Sequence, residues 1–159
     1  GGAVGVETAL FLAEKGTLSA DAVKFLLVNQ AQDAETLFDM ATRGTREITL
    51  IEMLEKVGKD IGKSTKWGMM QDLGRYHIST LTGAKVIEIT PKGLRIEQNN
   101  DSFEIDADTV VVAAGSEPDN PLEPMLKNLN IDFIAAGDAK AVATAFDAVH
   151  SGYHAGVGI

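Results

Sequence analysis

The residues of this sequence whose types and spacing could do chemistry begin at its first position, with Gly1-Gly2-Ala3-Val4-Gly5. Gly2 and Gly5 have the spacing of the last two glycines of the dinucleotide fingerprint G-x-G-x-x-G, and Gly1 takes the variable position before them. One of these glycines lets the backbone approach a pyrophosphate, and the other lets a helix pack closely on a strand. The free amides and the dipole at a helix start can hold phosphates without a basic side chain. The motif therefore predicts a pyrophosphate-binding loop at residues 1–5.

The remainder of the fingerprint, its first glycine and the strand that feeds it, is expected immediately before Gly1. We therefore expect the chain to be a segment of a longer protein. An isolated chain that lacks this strand would have a gap in its parallel sheet, so we expect it to be unstable or self-associated. An ordinary helix that follows a Gly-Gly pair is the alternative interpretation of the same residues.

An acid ends the next strand-like run, which covers residues 47–52. In the fingerprint, an acid about 20 residues after the loop accepts hydrogen bonds from the ribose hydroxyls. Glu52 lies farther away than that, and removal of a helical insertion at roughly 17–46 restores the spacing. A carboxylate here repels a 2′-phosphate and favours NADH over NADPH, although Lys56 and Lys59 are near enough to weaken the preference. The alternative is a solvated surface glutamate.

Two later runs also end in small or acidic residues. Residues 109–115 are a continuous apolar run that ends in Ala114-Gly115, as is typical of a buried parallel strand. Residues 132–138 are a further predicted strand, which ends in Gly137-Asp138. The backbone at Ala114-Gly115 could contact a nucleotide, or the small residues could only allow close packing. Asp138 could bind a sugar hydroxyl, cap the next helix, or do both. Ligands bind beyond the carboxyl ends of parallel strands. We therefore expect these two strand ends, Glu52 and the opening loop to lie together at the carboxyl edge of the sheet.

The remaining pattern places helices and strands around this edge. Gly16 is expected to follow the first helix in a left-handed conformation, and Ser19 and Asp33 are expected to cap the next two helices. A helix over about 61–75 could have Trp67 on its inner face, and residues 78–105 read as short strands with a turn at 99–101. The predicted fold class is α/β, a Rossmann-like three-layer nucleotide-binding domain with a mainly parallel sheet, an antiparallel β-meander and a helical insertion.

Composition excludes several classes of function. The formal net charge is −9 without a stripe of Lys or Arg, which argues against nucleic acid and against an anionic membrane surface. The sequence has no cysteine, so thiolate metal sites and cysteine nucleophiles are excluded within this segment. His150 and His154 lie one helical turn apart without an evident third ligand, and we predict no metal site. No residue has an evident acid–base or nucleophilic role, so any catalysis would depend on a cofactor.

Four further segments carry a family resemblance: Thr-Leu-Ile-Glu-Met (49–53), Thr-Val-Val-Val-Ala-Ala-Gly-Ser-Glu-Pro-Asp-Asn (109–120), Gly-Asp-Ala-Lys (137–140) and Asp-Ala-Val-His-Ser-Gly (147–152). Together with residues 1–7 they occur in the same order in NADH:flavin oxidoreductases that include 2,4-dienoyl-CoA reductase and 2-enoate reductase. The chain resembles the C-terminal part of these enzymes over nearly its whole length. The motifs are shared more loosely with glutathione-reductase-like flavoproteins.

The resemblance implies a division of the chain. Residues 1–115 would form the NAD(P)H-binding domain, 116–129 a connection, and 130–159 the returning segment of an FAD-binding domain in which Asp138 holds the ribityl chain. It also implies electron transfer from NADH to FAD, with FMN and an iron–sulfur cluster outside this segment, and an enoate or enoyl-CoA substrate. The implied partners are the upstream FAD and FMN/barrel domains of the same polypeptide, in a cytoplasmic protein that could oligomerise.

One departure from the family and two alternatives accompany this interpretation. The family usually has Pro-Arg shortly after Gly-Asp-Ala, whereas this chain has Lys140-Ala141 and no such pair there, which bears on the flavin contact. A non-redox module that holds ADP as a structural ligand, similar to trimethylamine dehydrogenase, is the first alternative. An S-adenosylmethionine methyltransferase also uses a glycine loop and an acid, but the Gly137-Asp138 end and closing helix fit it poorly.

Overall fold

The computed structural model describes residues 1–158, which form two compact units divided between Ala114 and Gly115. The helices of the first unit are α1 (Ala3–Ala13), α2 (Ala20–Val28), α3 (Ala34–Thr42) and α4 (Lys63–Arg75). Its strands are β1 (Thr49–Ile51), β2 (Ser79–Leu81), β3 (Ala84–Thr90), β4 (Gly93–Gln98) and β5 (Asp101–Asp106).

Two sheets organise the first unit. Strands β1 and β2 pair in parallel, with Leu50 opposite Thr80, and α4 is the connection between them. Strands β3, β4 and β5 form an antiparallel meander with β4 in the centre. Parallel strands, an antiparallel meander and packed helices confirm the predicted α/β, Rossmann-like fold class.

The main core holds α1 against β1 and α4. Val6, Ala9 and Ala13 lie on one face of α1 and are buried together with Leu50 of β1 and Leu73 of α4. Small side chains at the second and third of these helix positions allow a close approach between α1 and its neighbours. This packing fixes the start of α1 beside the end of β1.

Short-range sequence signals predicted the local structure correctly. The side chain of Ser19 accepts a hydrogen bond from the Ala22 amide at the start of α2, and Asp33 does the same for Thr36 at the start of α3. Gly16 has a φ of +91° after α1, as expected of a left-handed cap. Asn99 and Asn100 have φ values of 54° and 67°, which form the tight turn between β4 and β5.

Two predicted strands are wrong. Residues 109–115 and 132–138 carry no strand in the structure, and within the described residues neither segment pairs with a neighbouring strand. A segment with high strand propensity forms a strand only where another strand pairs with its backbone. Val111 and Val112 are 55% and 71% exposed rather than buried. The expectation for Trp67 is also wrong, because its side chain is 65% exposed and lies outside the core.

The second unit is built from helices. It contains α5 (Leu122–Asn128), a 3-10 turn at Gly137–Ala139, and α6 (Ala145–Val157). Thr144 starts α6 with a capping box, in which its hydroxyl accepts from the Asp147 amide and the Asp147 carboxylate accepts from the Thr144 amide. Among the helices of residues 1–158, none combines the length and apolar character needed to cross a membrane.

A first prediction concerns the meander. Ile96 in the central strand is fully buried with Ala84 and Leu94, so Ile96→Ala should lower the free energy of unfolding by about 2–5 kcal/mol. The matched change Ile89→Ala lies on β3 at a side chain that is 56% exposed, and should cost much less. Urea denaturation of the two variants measures the difference. Equal losses would mean that Ile96 does not occupy the core of this sheet.

Candidate functional site

The start of α1 is joined to the end of β1 and to the loop over residues 52–62. The amino group of Gly1 lies 3.4 Å from the Ile51 carbonyl oxygen, and the Gly1 carbonyl accepts from the Gly58 amide at 2.7 Å. Gly2 is the N-cap of α1, with an extended backbone at ψ −173° and its carbonyl accepting from Val6. The glycine loop is thereby fixed at the carboxyl edge of β1, as the topology predicts.

Glu52 lies against this loop. Its Oε2 is 3.2 Å from the Gly1 amino nitrogen, its Oε1 accepts from the Leu54 amide at 2.8 Å, and its side chain is only 14% exposed. The backbone of Glu52 extends the pairing of β1, since its amide donates to the Leu81 carbonyl. The side chain is therefore held toward the glycine loop and is not a freely solvated glutamate.

The surroundings of Glu52 keep its carboxylate ionised. Burial by itself raises the pKa of this carboxyl, but the hydrogen bonds from the Leu54 amide and the Gly1 nitrogen outweigh burial. The net pKa of Glu52 is below its ordinary value. A charged carboxylate at this place is a strong acceptor for hydroxyl groups.

The glycines of the loop differ in the room that a side chain would have. A Cβ on Gly1 would lie 2.6 Å from the Cβ of Glu52, closer than real Cβ atoms come. A Cβ on Gly2 would lie 3.0 Å from Oδ2 of Asp60. A Cβ on Gly5 would meet Ala113 and Leu50 at 3.6 and 3.7 Å, which is ordinary contact. Gly1 and Gly2 therefore leave room for carboxylates, whereas a Cβ on Gly5 would fit between α1 and its neighbours.

Asp60 is the residue that sequence reasoning missed. Its two carboxylate oxygens lie 2.9 and 3.0 Å from the Ala3 amide nitrogen, the first amide of α1. The sequence signal for it is an acid in a loop flanked by Gly58 and Gly62, and this signal does not say which helix the acid would cap. An anion is thus present at the start of α1, and it belongs to the protein itself.

The other predicted site residues divide between the two units. Ala3 and Val4 form the first turn of α1, and Val4 is 68% exposed. Ala114 is exposed at the end of the first unit, directly after Ala113, which lies beside Gly5. Gly115 opens the second unit with a φ of +94°. Residues 1–5 and Glu52 are brought together, and the roles of Ala114 and Gly115 stay predictions.

Gly137 and Asp138 have partners within the second unit. The Gly137 amide donates to the Ser151 hydroxyl at 3.1 Å, and Oδ1 of Asp138 accepts from the Ala143 amide at 3.4 Å. The suggestion that Asp138 caps the next helix is wrong, because Thr144 caps α6 through its own hydroxyl. Asp138 is exposed, and its predicted contact with a sugar hydroxyl stays a prediction. Within residues 1–158, no three His, Cys, Asp or Glu side chains cluster so as to hold a metal ion.

The arrangement in the first unit suits the adenosine diphosphate half of a dinucleotide. The first turn of α1 presents the amides of Ala3, Val4 and Gly5, which have no partners within the helix. The ionised carboxylate of Glu52 lies next to Gly1. A Cβ on Gly1 or Gly2 would fill the space beside the start of α1. Amide donors for phosphate and an acceptor for ribose hydroxyls are the two groups that such a ligand needs.

Comparison with known proteins finds a similar segment in several redox enzymes. The chain is 39% identical to a metal reductase of Desulforamulus reducens over 97% of its length and 23% of that protein. It is 33% identical to an NADH oxidase of Thermoanaerobacter brockii over 96% of its length and 19% of that protein. A solved 2-naphthoyl-CoA reductase superposes with a TM-score of 0.61 at 25% identity, over 72% of this chain and 18% of that one. The chain thus spans about a fifth of the length of each of these proteins.

A family model also matches most of the chain. Residues 1–141, which include the glycine loop, Glu52 and Asp138, match the pyridine nucleotide-disulphide oxidoreductase family. With the loop and the carboxylate placed together at the end of β1, this chain belongs to the pyridine nucleotide-disulphide oxidoreductase family.

Proposed function

We propose that this chain is the nicotinamide-nucleotide-binding segment of a longer flavin-dependent oxidoreductase that passes electrons from NADH to FAD. The observation that supports the proposal is the contact between Glu52, the proposed ribose acceptor, and Gly1, in the proposed phosphate loop. When bound, NADH supplies a hydride and FAD accepts it. The amides at the start of α1 would hold the diphosphate, and Glu52 would accept from the adenosine ribose.

The relatives include one enzyme named for NADH oxidation and two named for the compound that they reduce. A metal reductase, an NADH oxidase and a 2-naphthoyl-CoA reductase all contain a segment similar to this chain. Since a metal reductase and a 2-naphthoyl-CoA reductase act on different compounds, we propose that the electron acceptor is selected outside this segment. An enoate or enoyl-CoA substrate, reached through an iron–sulfur cluster and FMN, is our proposal for the whole protein, and the 2-naphthoyl-CoA reductase favours a CoA thioester.

The division of labour within the chain is part of the same proposal. Residues 1–115 would bind NADH, 116–129 would connect, and 130–159 would complete an FAD domain whose other part lies upstream. Asp138, with an exposed carboxylate, fits an acceptor for a flavin hydroxyl. Preference for NADH over NADPH rests on the ionised Glu52, because a 2′-phosphate beside it would be repelled.

Anaerobic titration of the full-length protein with NADH and then NADPH tests the function. We expect loss of flavin absorbance with NADH at lower concentration than with NADPH. Absence of bleaching by either nucleotide would contradict the proposal. Tight binding of ADP that NADH does not compete with would instead favour the non-redox alternative, a structural ADP module.

A further inference from the structure

We propose that Asp60 is an intramolecular competitor of the nucleotide diphosphate, which must displace the Asp60 carboxylate from the start of α1 in order to bind. This inference rests on the proposed function, because it concerns the same loop. It assigns to Asp60 a role in setting the affinity for the nucleotide. Asp60 lowers this affinity because it competes with the diphosphate for an amide.

The first part of the argument is the place that the carboxylate takes. Both oxygens of Asp60 lie within 3.0 Å of the Ala3 amide nitrogen, and Oδ2 is 3.0 Å from the position of a Cβ on Gly2. Gly2 is the glycine whose missing side chain would let a pyrophosphate approach the backbone. A carboxylate and a phosphate both seek the free amides and positive dipole of a helix start. The two anions cannot use the Ala3 amide at the same time.

The second part is that Asp60 can leave without unfolding its loop. Val57 and Ile61 anchor the loop in the main core with 8% and 9% exposure, and the Gly58 amide donates to the Gly1 carbonyl. The side chain of Asp60 itself is exposed, and its hydrogen bonds go to one amide. Rotation of this side chain therefore frees the amide while the loop backbone stays in place.

The third part is charge. Glu52 and Asp60 place two carboxylates at a loop that would receive a doubly charged diphosphate. Glu52 gains hydroxyl partners from the ligand, whereas Asp60 loses its amide partner and keeps its charge near the phosphates. Displacement of Asp60 therefore weakens the binding of ligands that contain a diphosphate. It does not affect the binding of ligands without one. This selectivity distinguishes competition for the amide from a general effect on the fold.

The test compares the full-length protein with Asp60→Asn by calorimetric titration with ADP-ribose and with adenosine. Asparagine keeps an oxygen that can accept from Ala3 and removes the charge. We expect the variant to bind ADP-ribose about tenfold more tightly and adenosine with unchanged affinity. Asp33→Asn is the matched control, because Asp33 caps α3 through the Thr36 amide at 2.9 Å. It should leave both affinities unchanged.

Each remaining outcome has a defined meaning. If the parent protein binds NADH and the variant binds ADP-ribose equally or more weakly, the competition is refuted and the proposed function stands. If neither protein binds any adenine nucleotide, both proposals are refuted. Asp60→Ser, which also removes the charge, should reproduce the tighter binding if Asp60→Asn fails to fold. A gain for adenosine equal to that for ADP-ribose would refute competition at the phosphate position.

Discussion

Gly1→Ala is expected to lower kcat/KM for flavin reduction by NADH about 100-fold. The new Cβ would lie 2.6 Å from the Cβ of Glu52 and 2.9 Å from its Cγ. These atoms lie close to the backbone of β1, so the clash cannot be relieved by moving only the far end of the side chain. Either Gly1 or Glu52 must shift, and the phosphate loop and ribose acceptor lose their relative position. Stopped-flow measurement of flavin bleaching at several NADH concentrations gives the value.

Gly5→Ala provides the control within the same motif. Its Cβ would meet Ala113 and Leu50 at 3.6 and 3.7 Å, which are ordinary contact distances. Alanine also favours a helix interior over glycine. We therefore expect Gly5→Ala to bind NADH within about threefold of the parent, although Gly5 is a glycine of the fingerprint and Gly1 is at its variable position. Full activity of Gly1→Ala would show that the present contact between Gly1 and Glu52 is dispensable.

Glu52→Ala is expected to raise the KM for NADH about 10–100-fold while changing kcat little, since a hydrogen bond to a charged group contributes about 1.5–3 kcal/mol. Because the ribose contact acts on the ground state and the transition state alike, its loss appears in KM. The same change should also move the preference toward NADPH, because it removes the carboxylate that would repel a 2′-phosphate. Lys56 and Lys59 remain on the loop to attract that phosphate.

Steady-state kinetics with both nucleotides measures the effect, and Glu55→Ala is the matched control. Glu55 is an exposed acid on the same loop, and the Glu52 contacts to Gly1 and Leu54 do not involve it. An equal change in KM for both variants would mean that the loop's net charge, rather than a contact made by Glu52, sets the affinity. An unchanged nucleotide preference in Glu52→Ala would contradict the assignment of Glu52 as the ribose acceptor.

Much of the local structure could be predicted from sequence because it depends on neighbouring residues. The caps made by Ser19 and Asp33, the left-handed Gly16 and the turn at Asn99-Asn100 each require contacts or dihedral angles within a few residues. The contact between the glycine loop and Glu52 was also predicted, although these residues are far apart in the sequence. The rule behind it is topological, because a parallel strand and the helix start beside it bring their ends to one edge.

Strand pairing and the place of Asp60 were decided only by the tertiary structure. Residues 109–115 have the composition of a buried strand, but pairing requires a partner, and Val112 remains exposed. Asp60 reaches the Ala3 amide because Val57 and Ile61 are buried and fold the loop over the start of α1. The sequence by itself predicted the groups that we propose to bind a dinucleotide. Only the folded loop shows that the Asp60 carboxylate accepts from the first amide of α1, since that contact joins residues far apart in the chain.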